Sequence, residues 1–193
     1  MATASTPSQP PVFNLPNQLT AARLVLSIVL FALIALELWL GCMVVFALAA
    51  LTDYLDGYFA RKLGLSNALG RNLDPLVDKV LICGAYIFLL PVVGAGLTAW
   101  MVTLVVAREL IITSLRSFME QRGANFGADW LGKVKMVLQC AALLAIFLFL
   151  MTRTAGFEVI REVFVYSMLA ATALSGLQYL WRAAAALQSE EVG

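Results

Sequence analysis

The chain has 193 residues, of which 62% are hydrophobic and 13% charged, and its apolar residues form runs longer than one soluble core of this size needs. Thirteen basic and twelve acidic side chains leave a net charge of +1, which says little by itself; their positions are informative, and no nucleic-acid partner is expected. Cys42, Cys83 and Cys140 are odd in number, lie in apolar runs and have no metal-ligand spacing, so they read as buried thiols and a disulfide framework is not expected.

Residues 1–12 are rich in Ser, Thr, Pro and Ala, carry no charge, and read as a disordered tail; they lack both the basic and the apolar region of a signal peptide. The stretch Asn14-Leu15-Pro16-Asn17-Gln18-Leu19-Thr20 has a proline and cap-type residues, and predicts a short interfacial helix leading to Arg23. About 20 apolar residues carry a helix across the hydrocarbon core. Six windows near that length follow, at 22–40, 42–62, 70–90, 97–118, 133–151 and 160–182, separated at Gly41, 61–72, 91–96, 121–132 and 153–158. The expected fold is therefore an all-α integral membrane protein: six transmembrane helices forming one catalytic domain over residues 13–185, then a C-terminal tail at 186–193. Asp53 and Asp56 shorten the apolar run of the second window, which is expected to end early and open to water.

Arg23, Arg61, Lys62, Arg71, Lys79, Arg108, Arg116, Arg122, Lys133, Lys135 and Arg182 fall at one set of helix ends, leaving Arg153 and Arg161 for the other. Basic residues favour the cytosolic side, so both termini are expected there. Four acids share that side. Asp53, Asp56, Gly57 and Ala60 follow the i, i+3, i+4, i+7 pattern of one helix face, and Gly70, Asp74 and Asp78 are spaced by four on the next helix. A carboxylate beside hydrocarbon costs several kcal/mol unless it meets water, a cation or a metal. Four carboxylates converging from adjacent antiparallel helices, in a chain without histidine, suit two hard cations such as Mg²⁺ or Mn²⁺. Such a pair could clamp a diphosphate for in-line displacement at phosphorus, and the small residues would let the ligand approach the helix backbone.

The run Asp53-Tyr54-Leu55-Asp56-Gly57-Tyr58-Phe59-Ala60-Arg61, followed after eight residues by Gly70, Asp74 and Asp78, resembles the complete signature D-x-x-D-G-x-x-A-R-x8-G-x-x-x-D-x-x-x-D of the CDP-alcohol phosphotransferase family. Eight specified residues at fixed spacing over 26 positions make this far more specific than a single glycine motif. The resemblance implies that an alcohol hydroxyl attacks the phosphorus of a CDP-linked donor, CDP-diacylglycerol in lipid synthesis, and CMP leaves. It implies a two-metal centre on Asp53, Asp56, Asp74 and Asp78, with Asp78 as the catalytic base. It also implies donor contacts from Asp53, Gly57, Ala60, Arg61 and Gly70, joined by Asn17 and Thr20 near the start of the chain. A homodimer in a bacterial inner membrane is the family-level expectation, with the donor's acyl chains left among membrane lipid and the active site facing the cytosol.

A second polar group comprises Arg108, Glu109 and Arg116 in the fourth window and Lys133 and Lys135 at the start of the fifth. Singly they fit flanking charges that reach toward lipid phosphate. Together, Arg108, Arg116, Lys133 and Lys135 suit the phosphate of an anionic acceptor. The runs 108–116 and 132–135, followed by Gln139, and the opening 14–23 are similar to those of the phosphatidylglycerophosphate synthase branch, which implies glycerol 3-phosphate as acceptor; Met136 stands where that branch commonly has threonine. The alternatives are a sister transferase taking inositol phosphate, serine or another alcohol, an ion or proton transporter, and a scaffold whose acids pair with Arg61, Arg71 and Lys79. Transport would distribute acids along a path across the bilayer, whereas these cluster near one end of two helices.

Overall fold

The computed structural model describes the backbone of residues 15–63, 68–121 and 130–191; within these, the side chains of 15–17, 19, 53–63, 68–75, 120 and 186–191 lie outside the description. The expected tail at 1–12 and Asn14 lie outside the described residues. Six helices make up the described chain: α1 (Leu15–Ala35), α2 (Trp39–Leu63), α3 (Ala68–Leu89), α4 (Ala99–Gln121), α5 (Trp130–Thr152) and α6 (Ala155–Glu191).

Helical spacing decides which side of each helix turns inward. On α1, Thr20, Arg23, Ser27, Leu30 and Ile34 are buried in alternating steps of three and four, while Val25 and Ile28 on the other side are exposed. Exposed Val44, Val137, Val163 and Leu177 repeat this on later helices, so the outward surface is apolar as well as the core. Water would oppose such a surface; lipid does not. Trp130–Thr152 and Ala155–Ala185 are each long and apolar enough to cross a membrane by length and composition, and Thr20–Ala35 and Trp39–Thr52 are shorter apolar stretches. The protein is thus a helical membrane protein.

The helices pack as neighbours in sequence and beyond it: α1 lies against both α2 and α3, α5 against α6 and α2, and α4 against α6. One continuous core joins Leu30 and Ile34 of α1, Phe46 of α2, Ala85 and Leu89 of α3, and Ile146 of α5 with further residues of α4 and α6. Within it the buried Tyr86 hydroxyl donates to the Gln139 carbonyl at 2.9 Å, joining α3 to α5 without leaving a polar group unsatisfied. A smaller cluster of Ile112, Met119, Tyr179 and Ala183 joins α4 to α6. Alternation of direction brings the start of α1, α3 and α5 and the end of α2, α4 and α6 to one end.

Several boundaries differ from the sequence reading. Leu15 to Thr20 are the first turns of α1, continuous with the rest, and do not form a separate interfacial helix. Proline in a first helical turn removes an amide that has no intrahelical partner anyway, so Pro16 does not interrupt the helix. The first chain reversal lies at residues 36–38, where Glu37 takes φ 56°, and Gly41 belongs to α2. A Cβ on Gly41 would lie 3.3 Å from Leu33 Cδ1, so that glycine marks close helix approach instead of a turn. The backbone of α2 continues through Asp53 and Asp56 to Leu63, and α6 begins at Ala155 and continues past 185 to Glu191.

The opposite end is closed by the two arginines that the sequence leaves there. Arg153 donates to the Val93 carbonyl at 3.0 Å, and Arg161, only 5% exposed, donates to that of Gly94 at 2.6 Å. The Arg161 guanidinium also lies 4.4 Å from the Phe149 ring centroid and reaches Glu158 and Glu162. These contacts bind the α3–α4 turn to the α5–α6 corner. Gly94 and Gly96, at φ 92° and 72°, make the turn that presents the carbonyl.

Close approach of α1 and α3 depends on Gly84, where a Cβ would overlap the Phe31 ring, itself stacked on Phe88 with centroids 4.9 Å apart. Gly84→Ala is expected to destabilise the fold by about 1–3 kcal/mol, as overpacking does. Thermal unfolding in detergent checks this; an unchanged midpoint would mean that the stack yields freely.

Candidate active site

Asp78 is the one signature acid whose side chain is described. It extends from the first half of α3, with 26% of its side chain exposed, and its Oδ1 accepts a 2.6 Å hydrogen bond from Arg23 Nη1 of α1. Arg23 is fully buried. Its inward position follows from the α1 repeat, and Ser27 stands one turn beyond it with Oγ donating to the Arg23 carbonyl at 2.8 Å. Removing a charge from water costs several kcal/mol per ion, so the pair persists because each partner supplies the other's counter-charge. Thr20, 4% exposed, lies one turn before Arg23 on the same buried side.

Asp53, Asp56, Gly57, Ala60 and Arg61 lie on α2, Gly70 and Asp74 on α3, and Asn17 on α1. Their side chains lie outside the described residues. Their helix positions nevertheless have a consequence: Asp74 is one turn before Asp78 on α3, while Asp53 and Asp56 are in the second half of α2, which ends where α3 begins. By residue type, carboxylates without histidine are hard donors, and that chemistry fits a divalent cation such as Mg²⁺ or Mn²⁺.

The second polar group is drawn together by an acid. Glu109, 7% exposed on α4, accepts at Oε1 from Lys135, from Arg108 Nη1 at 3.3 Å and from Gln139 Nε2 at 3.5 Å. Lys135 is buried at 5% exposure, and its ammonium meets Glu109 directly. Gln139 also supplies the carbonyl that accepts from Tyr86, so α3, α4 and α5 share one polar junction. A buried acid beneath the basic residues removes one positive charge from the group and fixes the directions of two others.

Arg116 lies on the face of Glu109, seven residues on, and donates through Nη2 to the Tyr179 hydroxyl of α6 at 2.9 Å. Lys133 is different. It is exposed, while Lys135 two residues later is buried, as a helix turning 100° per residue requires. Arg108, Arg116 and Lys135 are therefore brought together by Glu109 and Tyr179, and Lys133 is not part of that contact network. Glu109 was visible in the sequence as an acid within a basic run, although its function as hub was not. Tyr179 was missed altogether. The available signal was the spacing of Thr172, Ser175, Gly176 and Tyr179, polar or small residues on one buried side of α6.

The comparisons with known proteins cover from about two thirds of the chain to most of it. The family described as CDP-alcohol phosphatidyltransferase matches residues 13–181. A CDP-diacylglycerol–glycerol-3-phosphate 3-phosphatidyltransferase of Bacillus subtilis is 37% identical over 153 residues, covering 71% of this chain and 78% of that protein. Proteins of the same name from Salmonella choleraesuis, 37% identical, and Escherichia coli, 36% identical, are each similar over 140 residues, covering 68% of this chain and 75% of theirs.

The contrast between the two lysines yields a stability expectation. Glu109→Ala leaves Lys135 buried without its counter-charge and is expected to cost about 3–5 kcal/mol, with a matching fall in unfolding midpoint. Lys133→Ala, at an exposed position, is expected to remain within about 0.5 kcal/mol of the parent protein. Equal effects at the two sites would contradict the burial assignment.

Proposed function

Because the chain belongs to the CDP-alcohol phosphatidyltransferase family, we propose that it transfers the phosphatidyl group of CDP-diacylglycerol to sn-glycerol 3-phosphate, giving phosphatidylglycerol phosphate and CMP. What carries this reading is that Asp78 and the group of Arg108, Arg116 and Lys135 belong to helix segments at the same end of the array. One can serve the reacting hydroxyl and the other the acceptor's phosphate. The relatives named above support the choice of donor and acceptor.

In this reading the primary hydroxyl of glycerol 3-phosphate attacks the phosphorus attached to diacylglycerol. A new P–O bond forms, the P–O bond to CMP breaks, and the hydroxyl proton passes to the Asp78 carboxylate. Arg23 serves the base by orienting its carboxylate through the 2.6 Å contact. Direct displacement is the simplest course, since the chain has no histidine to carry a phosphoryl intermediate. Two divalent cations, Mg²⁺ or Mn²⁺, held by Asp53, Asp56, Asp74 and Asp78, would supply charge neutralisation for the diphosphate. Gly57, Ala60 and Gly70 would give the donor room beside the helices, with Asn17, Thr20 and Arg61 contributing polar contacts. Arg108, Arg116, Lys133 and Lys135 would serve the acceptor phosphate, Lys133 from its exposed position and Lys135 through the Glu109 junction.

The distribution of basic residues supports six spans in a bacterial cytoplasmic membrane, with this end on the cytosolic side. The donor's acyl chains then stay in the inner leaflet. A homodimer is the assembly proposed.

Purified protein supplied with CDP-diacylglycerol and a panel of alcohols tests the reading. CMP release is expected with glycerol 3-phosphate; release only with serine, inositol phosphate or another alcohol would assign a sister reaction. Chelation of divalent ions is expected to abolish release, with recovery on adding Mg²⁺ or Mn²⁺. Asp78→Asn is expected to lower kcat by at least about a thousandfold while CDP-diacylglycerol still binds, and near-normal turnover would remove Asp78 from the role of base.

A further inference from the structure

The signature and the basic run leave α6 without a chemical role, yet α6 supplies the residue around which the two site arginines are arranged. Tyr179 is 2% exposed, and no feature of the sequence motifs includes it. Its hydroxyl accepts from Arg116 Nη2 at 2.9 Å, and the guanidinium carbons of Arg116 and Arg108 lie 5.6 and 5.7 Å from its ring centroid. The hydrogen bond puts Arg116 at the hydroxyl end of the ring, so that contact is polar first. One turn earlier, Gly176 leaves room for the Arg108 stem: a Cβ there would lie 3.3 Å from Arg108 Cγ. On α5, a Cβ at Gly132 would have the Tyr179 hydroxyl as its nearest neighbour, at 3.8 Å. Thus α4, α5 and α6 converge on one phenol.

The guanidinium groups beside it have donors still to satisfy. Arg108 Nε and Arg116 Nε are both buried without a hydrogen-bond partner among the described residues. Buried N–H groups in a native protein are paired almost without exception, and two orphans from adjacent arginines invite an anionic oxygen acceptor. An arginine side chain loses rotamer entropy when it is fixed by a ligand, which weakens binding unless it is already held in place. Glu109 holds the Arg108 head at 3.3 Å, and Tyr179 holds that of Arg116.

We propose that Tyr179 is a positioning residue for acceptor recognition, fixing the Arg116 guanidinium by its hydroxyl and bounding that of Arg108 with its ring, so that both present N–H groups to the phosphomonoester of a small polyol. This rests on the reading of Arg108 and Arg116 as acceptor-phosphate contacts. Tyr179 itself touches no reacting atom; it acts through Arg116.

Steady-state kinetics of the full chain in mixed micelles of detergent and CDP-diacylglycerol test it. Tyr179→Phe, which keeps the ring, is expected to raise KM for glycerol 3-phosphate about tenfold, with kcat and KM for CDP-diacylglycerol within about twofold of the parent. Arg116→Ala is expected to raise the same KM further, and adding Tyr179→Phe to Arg116→Ala should change nothing more, because the second residue then has nothing to position. An unchanged KM in Tyr179→Phe, a joint change in kcat and both KM values, or independent effects in the double variant would each overturn the positioning role. If Tyr179→Phe fails while Arg116→Ala raises KM for glycerol 3-phosphate, the acceptor-phosphate reading survives and the Tyr179 proposal alone is lost. If Arg116→Ala leaves that KM unchanged, the assignment of Arg116 to the phosphate falls, and the proposal with it.

Discussion

A fully buried arginine holding an aspartate sets the terms for this molecule. Arg23 cannot stay among apolar helices as an isolated cation, and Asp78 cannot easily stay there as an isolated anion, so the 2.6 Å contact joins α1 to α3. The partner of this arginine is the last acid of the signature. Structural need and the proposed chemistry therefore coincide on one carboxylate.

The same rule of matched charge organises the rest of the interior. Glu109 gathers Lys135, Arg108 and Gln139, Tyr86 completes the backbone carbonyl of Gln139, and Tyr179 takes up Arg116. At the other end, Arg153 and Arg161 are occupied by the carbonyls of Val93 and Gly94. That end is tied shut by these carbonyls together with Glu158 and Glu162, which Arg161 also reaches.

Much of this was legible in the sequence because its physics is local. Six apolar windows correspond to the six helices of the described chain, since a helix satisfies the backbone of an apolar run within itself. The family was legible through the fixed spacing of its signature acids, and the common face of Glu109 and Arg116 through seven-residue periodicity. Gly41 misled because a missing side chain serves close packing as well as a turn, and only the position of Leu33 distinguishes the two. Lys133 and Lys135 looked equivalent as neighbours in a basic run, although two steps of a helix separate a surface from an interior. Arg23 looked like one more basic residue at the cytosolic helix ends because its partner is 55 positions away, and Tyr179 was invisible for the same reason, with Arg116 63 positions away. Long-range pairing of polar groups has no sequence period.

A double-mutant cycle of thermal unfolding in detergent, with Arg23→Met, Asp78→Asn and both together, measures the interaction from which the site is built. Coupling of about 2 kcal/mol or more is expected, the double variant being less destabilised than the sum of the single ones, because removing both charges leaves no ion stranded in the interior. Effects that add within about 0.5 kcal/mol would show that Arg23 and Asp78 are held independently, and would contradict the view that one buried ion pair sets the active end of this protein.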